Sequence, residues 1–224
     1  MNDLLNLFFP NLCRACGIKL IGEEETICFD CLYHLPKTNY HQFADNPVEQ
    51  TFWGRINIEA GTSFCFFEKG TTIQHLLHQL KYKGEKEIGL ELGKHLGAQL
   101  AGSGRFQSVD VIIPVPLHPG KEKKRGYNQS EWIAKGISQT FQRPLKTNVL
   151  IRKTDTSTQT RKSRFERWEN VSEIFAVNEN SEIHFKHVLL IDDVITTGAT
   201  LEACATKILE LEGTKVSVAT LAKT

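Results

Sequence analysis

The stretch Val188-Leu-Leu-Ile-Asp-Asp-Val-Ile-Thr-Thr-Gly-Ala-Thr200 constrains this chain more than any other. Val188 to Ile191 form a short, continuous apolar run, the mark of a strand covered on both faces. Two carboxylates follow at once, then a small polar turn, then a helix running through Leu201, Ile208 and Leu211. Gly198 lets the backbone approach a ligand closely, with Ala199 beside it and the hydroxyls of Thr196, Thr197 and Thr200 around it. The start of the helix aims unpaired backbone N–H groups at that turn, which makes it an anion site. Asp192 and Asp193 repel phosphate, but carboxylates accept hydrogen bonds well from vicinal sugar hydroxyls. Phosphate donors beside hydroxyl acceptors point to a ribose 5-phosphate. An ordinary strand-to-helix junction would need a capping Thr but not the paired acids in front of T-T-G-x-T.

The 224-residue chain is 40% hydrophobic and 24% charged, enough to bury a full core. A formal net charge of +1 argues against a generally basic nucleic-acid coat. Charge is uneven along the chain, however. Lys121-Glu-Lys-Lys-Arg125 is a basic cluster, and Arg152 to Arg167 carries six Lys or Arg against Asp155 and Glu166. Such runs are commonly solvated loops, but these flank the phosphate turn in sequence order and suit polyanion contact. The start, Met1 to Pro10, lacks a basic leader, and no apolar run approaches the roughly 20 residues that span a bilayer. The expectation is a cytoplasmic protein with no membrane insertion, whose thiols stay reduced.

Four of the six cysteines have their own explanation. Cys13-Arg-Ala-Cys16 and Cys28-Phe-Asp-Cys31 are C-x-x-C pairs separated by eleven residues. Each such turn aims two thiolates at one point, and two turns complete a tetrahedral cage for structural zinc. A redox dithiol would need one pair beside a βαβ unit, and an iron–sulfur cluster is a rarer use of four thiolates. Cys65 and Cys204 sit in apolar surroundings and read as small buried hydrophobes.

The organisation read from the chain is a zinc-finger module over 1–36, a linker over 37–60 and one larger domain over 61–224. Residues 37–50 have linker composition, with Asn, Asp and Pro47. Thr62 to Phe67 reads as a strand. Ile73, Leu76, Leu77 and Leu80, then Ile88, Leu92, Leu96 and Leu100, mark two helices. From there the pattern predicts strands over 109–113, 149–152, 174–177, 187–191 and 216–221, with helices over 129–141 and after Gly198. That interleaving indicates a parallel α/β sheet with ligands at the carboxyl ends of its strands.

Two further segments belong near such a site. Pro114, Val115, Pro116 and Pro119 build a constrained loop after a strand, followed by Lys121, Lys123, Lys124 and Arg125. His118 in that loop is a candidate acid or base, or simply an exposed side chain. Lys153 to Asn170 is a long polar insertion between two short strands, either a functional lid or a hairpin without one.

The turn at 192–200 closely resembles the phosphoribosyl-pyrophosphate (PRPP) signature of the type I phosphoribosyltransferases. Leu7-Phe-Phe-Pro10, the two C-x-x-C pairs, Leu80-Lys-Tyr-Lys-Gly84, Pro114-Val-Pro116, Arg125-Gly-Tyr-Asn-Gln129 and the Gln159…Arg167…Asn170 pattern together resemble the ComF/GntX family. The match runs in order along nearly the whole chain. That family resembles type I phosphoribosyltransferases fused to an N-terminal zinc finger, with members tied to uptake of transforming DNA. The resemblance implies an α/β fold, a type I phosphoribosyltransferase-like parallel sheet flanked by helices, with a small N-terminal zinc-finger module whose metal ligands are Cys13, Cys16, Cys28 and Cys31. It implies PRPP, or another ribose 5-phosphate, on Asp192, Asp193, Thr196, Thr197, Gly198, Ala199 and Thr200, the two aspartates being the catalytic pair. Pro114, Val115, Pro116 and Arg125 would hold the pyrophosphate, with Mg²⁺ bridging it to the ribose hydroxyls, and 153–170 would close over the ligand. A second reading is a non-catalytic competence protein that grips single-stranded DNA and a competence helicase through its zinc finger and basic loops. Trp53, Tyr82 or Trp168 would then stack on bases. No motif identifies the acceptor.

Overall fold

The computed structural model describes residues 10–153, 174–178 and 186–224. Leu7 to Phe9 and nearly all of the proposed lid, with Trp168, lie outside them. The chain opens with the cysteine module, whose short helix α1 spans Phe29–Tyr33. Helix α2 (Pro47–Gln50) leads into strand β1 (Ala60–Phe66), followed by α3 (Thr72–Tyr82) and α4 (Lys86–Ala101). Next come β2 (Val111–Pro114), α5 (Pro119–Arg125), α6 (Gln129–Phe141), β3 (Leu150–Arg152) and β4 (Phe175–Val177). The chain ends with β5 (His187–Ile195), α7 (Ala199–Leu209) and β6 (Lys215–Lys223).

Among the described residues, four strands form one parallel sheet in the order β1-β6-β5-β2, the parallel direction being the one that the alternating pattern predicts. Helical crossovers force this direction and cover both faces, so the central strands carry buried apolar runs such as Val188 to Ile191. Leu189 and Ile191 of β5, with Ala219 and Leu221 of β6, pack on one face beneath α3, α4 and α6. Val188, Leu190, Val216 and Val218 pack on the other beneath α7. β2 ends beside Ile191 while β5 runs on, because Pro114 pairs with Ile191 and Val115 N–H donates to Ile191 O at 2.9 Å. The proline loop therefore leaves the sheet beside the paired aspartates of β5.

β3 and β4 depart from the parallel pattern. They form a separate antiparallel two-stranded ribbon. Three residues per strand, with Leu150 buried and Ile151 43% exposed, suit a ribbon with one covered face rather than a strand covered on both.

Helices α4 and α6 touch backbone to backbone. A Cβ on Gly136 would lie 2.0 Å from Leu90 O, and one on Gly93 would lie 2.3 Å from Ile133 O. The leucine stripe of α4 is legible in the sequence, but this glycine contact is not. It holds α6 against α4, and the first residues of α6 enter the site described below.

The stretch with linker composition is built into the fold. Thr38 N–H donates to Phe64 O at 3.0 Å, and Asn46 caps α2 while donating to Gly61 O at 2.9 Å. Glu49 pairs with Arg105 at 2.6 Å, and Val48 and Phe52 are fully buried against the sheet. The polar residues that suggest a linker satisfy backbone groups, while an i,i+4 apolar pair supplies the packing. The cysteine module is likewise continuous with the main core. Leu20, Ile27, Leu32 and Leu35 share one buried cluster with Leu76, Leu77, Ile88 and Leu92. No helix among the described residues is long and apolar enough to cross a membrane.

Candidate functional site

β5 runs on through both aspartates to Ile195, and Thr196 to Gly198 turn the chain into α7. Thr196, Thr197 and Thr200 are exposed around a recess of about 50 Å³ that Asp192 and Gly198 also line. Gly198 has φ +75° at the cap of α7, the left-handed region that L side chains avoid. A Cβ there would lie 2.8 Å from Thr51 Cγ2 and 3.1 Å from Phe52 Cε1. The glycine is thus required by the packing behind the turn, in addition to the ligand approach expected in front of it. Arg55 secures the same turn, donating to Thr197 O at 2.8 Å and Thr51 O at 3.0 Å and pairing with Glu202. No motif marks Arg55 in the sequence, where it stands at the end of an apparent linker.

The two acids have different surroundings. Asp192 Oδ1 accepts from Ser130 Oγ at 3.0 Å and from Asp193 N–H at 2.8 Å. Burial, reinforced by the neighbouring Asp193 charge, pushes the Asp192 carboxyl up to about 7. Asp193 is buried; its Oδ2 accepts from Gln129 Nε2 at 2.9 Å and pairs with Lys81 Nζ at 3.0 Å.

Each side chain from Arg125 to Ser130 has a task, glycine aside. Arg125 donates to Gln129 Oε1, so Gln129 links it to Asp193. Gly126 takes φ +84° to end α5, and Tyr127 Oη donates to Leu80 O. Asn128 caps α6 through Ser130 N–H at 3.1 Å and fixes the proline loop by donating to Val115 O at 2.9 Å. Ser130 reaches Asp192. Pro114 and Val115 are buried, and Pro116 is half-buried.

The basic cluster is helical rather than a loop. Pro119 opens α5 and His118 caps it by accepting from Gly120 N–H at 3.1 Å, which gives this histidine a structural task. The helical turn brings Lys121, Lys124 and Arg125 to one cavity of about 310 Å³, where Lys81, Tyr82 and Gly84 join them. Lys123 is not among the side chains lining it. Lys81 is the cavity-lining residue that sequence reasoning missed, although it lies in the L-K-Y-K-G motif.

The raised Asp192 carboxyl gives a pH prediction. It holds its proton more tightly in the folded chain, so folding loses Asp192's contribution as pH rises from about 4 through about 7. Hydroxyl binding runs the other way, because the ionised form is the better acceptor. Affinity for a ribose 5-phosphate should fall up to about tenfold per pH unit below 7, beyond the fall seen in Asp192→Asn. Calorimetry from about pH 6 to about pH 8 on both proteins checks this; parallel profiles would count against it.

In the N-terminal module, which Arg14 ties to Glu85 at the start of α4, the sulfurs of Cys13, Cys16, Cys28 and Cys31 all lie within 4.8 Å of one another. Cys16 and Cys28 sulfurs are 3.7 Å apart, against about 3.8 Å for a tetrahedron with zinc–sulfur arms of about 2.3 Å. Burial disfavours the Cys13 thiolate, but N–H donors from Cys28 at 3.3 Å and Ala15 at 3.4 Å outweigh it and bring the thiol down to about 7. The cluster fits one zinc ion with no open position.

The chain matches the phosphoribosyl transferase domain over residues 102–224, more than half its length. It is 31% identical to Competence protein F of Haemophilus influenzae over 153 residues, 66% of each chain. Over 217 residues, 95% of this chain and 90% of the relative, it is 26% identical to DNA utilization protein YhgH of Escherichia coli K12. Competence protein ComFC of Bacillus subtilis is 34% identical over 100 residues, 45% of this chain and 38% of that protein. With its parallel sheet and cysteine cluster, the chain belongs to the phosphoribosyl transferase domain family and, within it, to the ComF group.

Proposed function

We propose that this protein binds PRPP and transfers its phosphoribosyl group to an acceptor with release of pyrophosphate. The observation that carries this reading is one sheet edge holding three complementary subsites. Thr196 to Thr200 offer hydroxyls and helix N–H groups to a 5-phosphate. Asp192 and Asp193 offer acceptors to the 2- and 3-hydroxyls. Lys121, Lys124 and Arg125 offer cations to a diphosphate, with the Pro114–Val115–Pro116 loop between them and the acids.

In the reaction the C1–oxygen bond to the diphosphate breaks with its electron pair leaving on the diphosphate, and the acceptor's lone pair closes on C1. This chain would hold the two ends of PRPP apart and stabilise the charge that builds on the leaving group. Mg²⁺, when bound, adds to that stabilisation. Asp192, whose carboxylate takes only neutral donors, is the side chain that would hold the ion together with the ligand's oxygens. The free thiols fit a cytoplasmic setting. Calorimetry with PRPP and Mg²⁺, then pyrophosphate release across a panel of nucleobases, tests the reading. Binding without release would leave a ligand sensor; absence of binding would end it.

The relatives' names, competence protein and DNA utilization protein, and one surface support a second, compatible role in handling DNA, which we extend to incoming single strands with a competence helicase as partner. Tyr82 is 67% exposed at the rim of the basic cavity, with the Arg125 guanidinium 5.6 Å over its ring. Cations beside an open aromatic face suit a phosphate backbone with stacked bases. Affinity for a single-stranded oligonucleotide should drop steeply with salt, and Lys121→Gln with Lys124→Gln should reduce the log–log slope by about 1.4, at about 0.7 per contact. An unchanged slope would remove this surface from DNA binding.

A further inference from the structure

Asp193 stands at the meeting point of two connections from the basic cavity. Lys81, which lines the cavity with Lys121, Lys124 and Arg125, reaches Asp193 Oδ2 at 3.0 Å. Arg125 reaches the same oxygen through Gln129, whose Oε1 accepts from the guanidinium and whose Nε2 donates to Asp193 at 2.9 Å. Asp193 is 5% exposed, while the Lys81 side chain keeps 25% of its surface open. One partner is therefore fixed and the other has room to move.

We propose that Lys81 is a positioning residue that couples the diphosphate subsite to the ribose subsite. The inference rests on the reading of this edge as a ribose 5-phosphate and diphosphate site. Without ligand, Lys81 neutralises Asp193 and so weakens it as an acceptor for a ribose hydroxyl. A diphosphate in the cavity draws the ammonium onto itself by a charge-assisted bond. Asp193 is then left buried with Gln129 as its side-chain donor, a costly state for a carboxylate. A ribose hydroxyl supplies the missing donor. Each ligand makes the other's binding less costly, and linkage requires the two effects to be equal. The order of events keeps Asp193 masked until the leaving group is in place.

The test uses the full chain with Mg²⁺ and two separate probes, ribose 5-phosphate and inorganic pyrophosphate, titrated alone and each in the presence of the other. In the unmodified protein each probe should tighten the other by about fivefold or more, with matching factors. Lys81→Met should bring that factor to about one, and Lys81→Arg should restore it in part, because arginine can pair with either anion. A purely structural lysine would change the unfolding midpoint or both single-probe affinities, without abolishing the coupling. Both probes binding with no mutual effect, or Lys81→Met retaining the full factor in a folded protein, would overturn the coupling and leave the site reading intact. Failure of either probe to bind at all would overturn the site reading, and the coupling with it.

Discussion

Replacing Asp192 and Asp193 together with Asn is expected to weaken PRPP binding by about 2–4 kcal/mol. A hydrogen bond to a charged acceptor contributes about 1.5–3 kcal/mol, and the two losses overlap because both fall on one ligand. The geometry also says how they divide. Asp192 faces the phosphate recess and takes only neutral donors, Ser130 Oγ and a backbone N–H, so its loss is felt directly at the ribose. Asp193 is paired with Lys81, and its loss frees a cation for the diphosphate. Asp193→Asn alone should therefore cost less than Asp192→Asn alone.

Gly198→Val should differ in kind. Its φ of +75° and the 2.8 Å approach to Thr51 combine a left-handed backbone cost of about 1–2 kcal/mol with an overpacking cost of about 1–3. That change should lower the unfolding midpoint as well as the affinity, whereas the Asn pair should leave the midpoint close to the parent's. Calorimetry with PRPP and Mg²⁺, together with thermal unfolding, separates the two behaviours. The parent binding PRPP no better than the folded Asn pair would remove the aspartates from the site.

What the sequence shows and what it hides follow from the range of the interactions involved. Asp192, Asp193 and the Thr196–Thr200 turn are legible because a buried strand, two acids and a helix start are adjacent in the chain. The sheet and its helices are legible because burial on both faces leaves apolar runs, and the pattern places α6 at Gln129–Phe141, its observed bounds. Arg55 and Lys81 are not legible as site residues. Their partners, Thr197 and Asp193, lie more than a hundred positions away and are met only after the sheet is assembled. The stretch over 37–50, with its linker composition, hides its packing for a related reason. Asn46 and Glu49 are polar, as linker residues are, but Asn46 caps a helix and both bind backbone groups of Gly61 in the following strand β1. Composition records that a side chain is polar, not whether it faces water. The ribbon β3–β4 reads as two strands of the main sheet because three-residue apolar segments carry too little pattern to tell a half-covered strand from a fully covered one.

Removing zinc is expected to have the largest effect of all, and to reach beyond the module that holds it. Structural zinc binding in small finger peptides releases about 10–16 kcal/mol, most of it expressed as folding. Here Cys13 and Cys28 are buried in the same cluster as Leu76, Leu77, Ile88 and Leu92, and the module is also tied on by the Arg14–Glu85 pair at 3.0 Å. Loss of the metal therefore loosens the packing of α3 and α4 against the module. If only about 5 kcal/mol of the binding energy is lost to the whole chain, a shift of about 2–4 °C per kcal/mol lowers the unfolding midpoint by about 10–20 °C. Cys28→Ser should do the same, since a hydroxyl is a poor substitute for a thiolate ligand and leaves a buried polar group as well. Cys65→Ser is the control: it is buried in the same core but is not one of the four gathered thiols, and should cost about 1–3 kcal/mol, the ordinary penalty for burying a hydroxyl. Metal analysis of the purified protein should find one zinc per chain. A chelated protein that keeps both its midpoint and its PRPP affinity would show that the four thiols sit together without a stabilising ion.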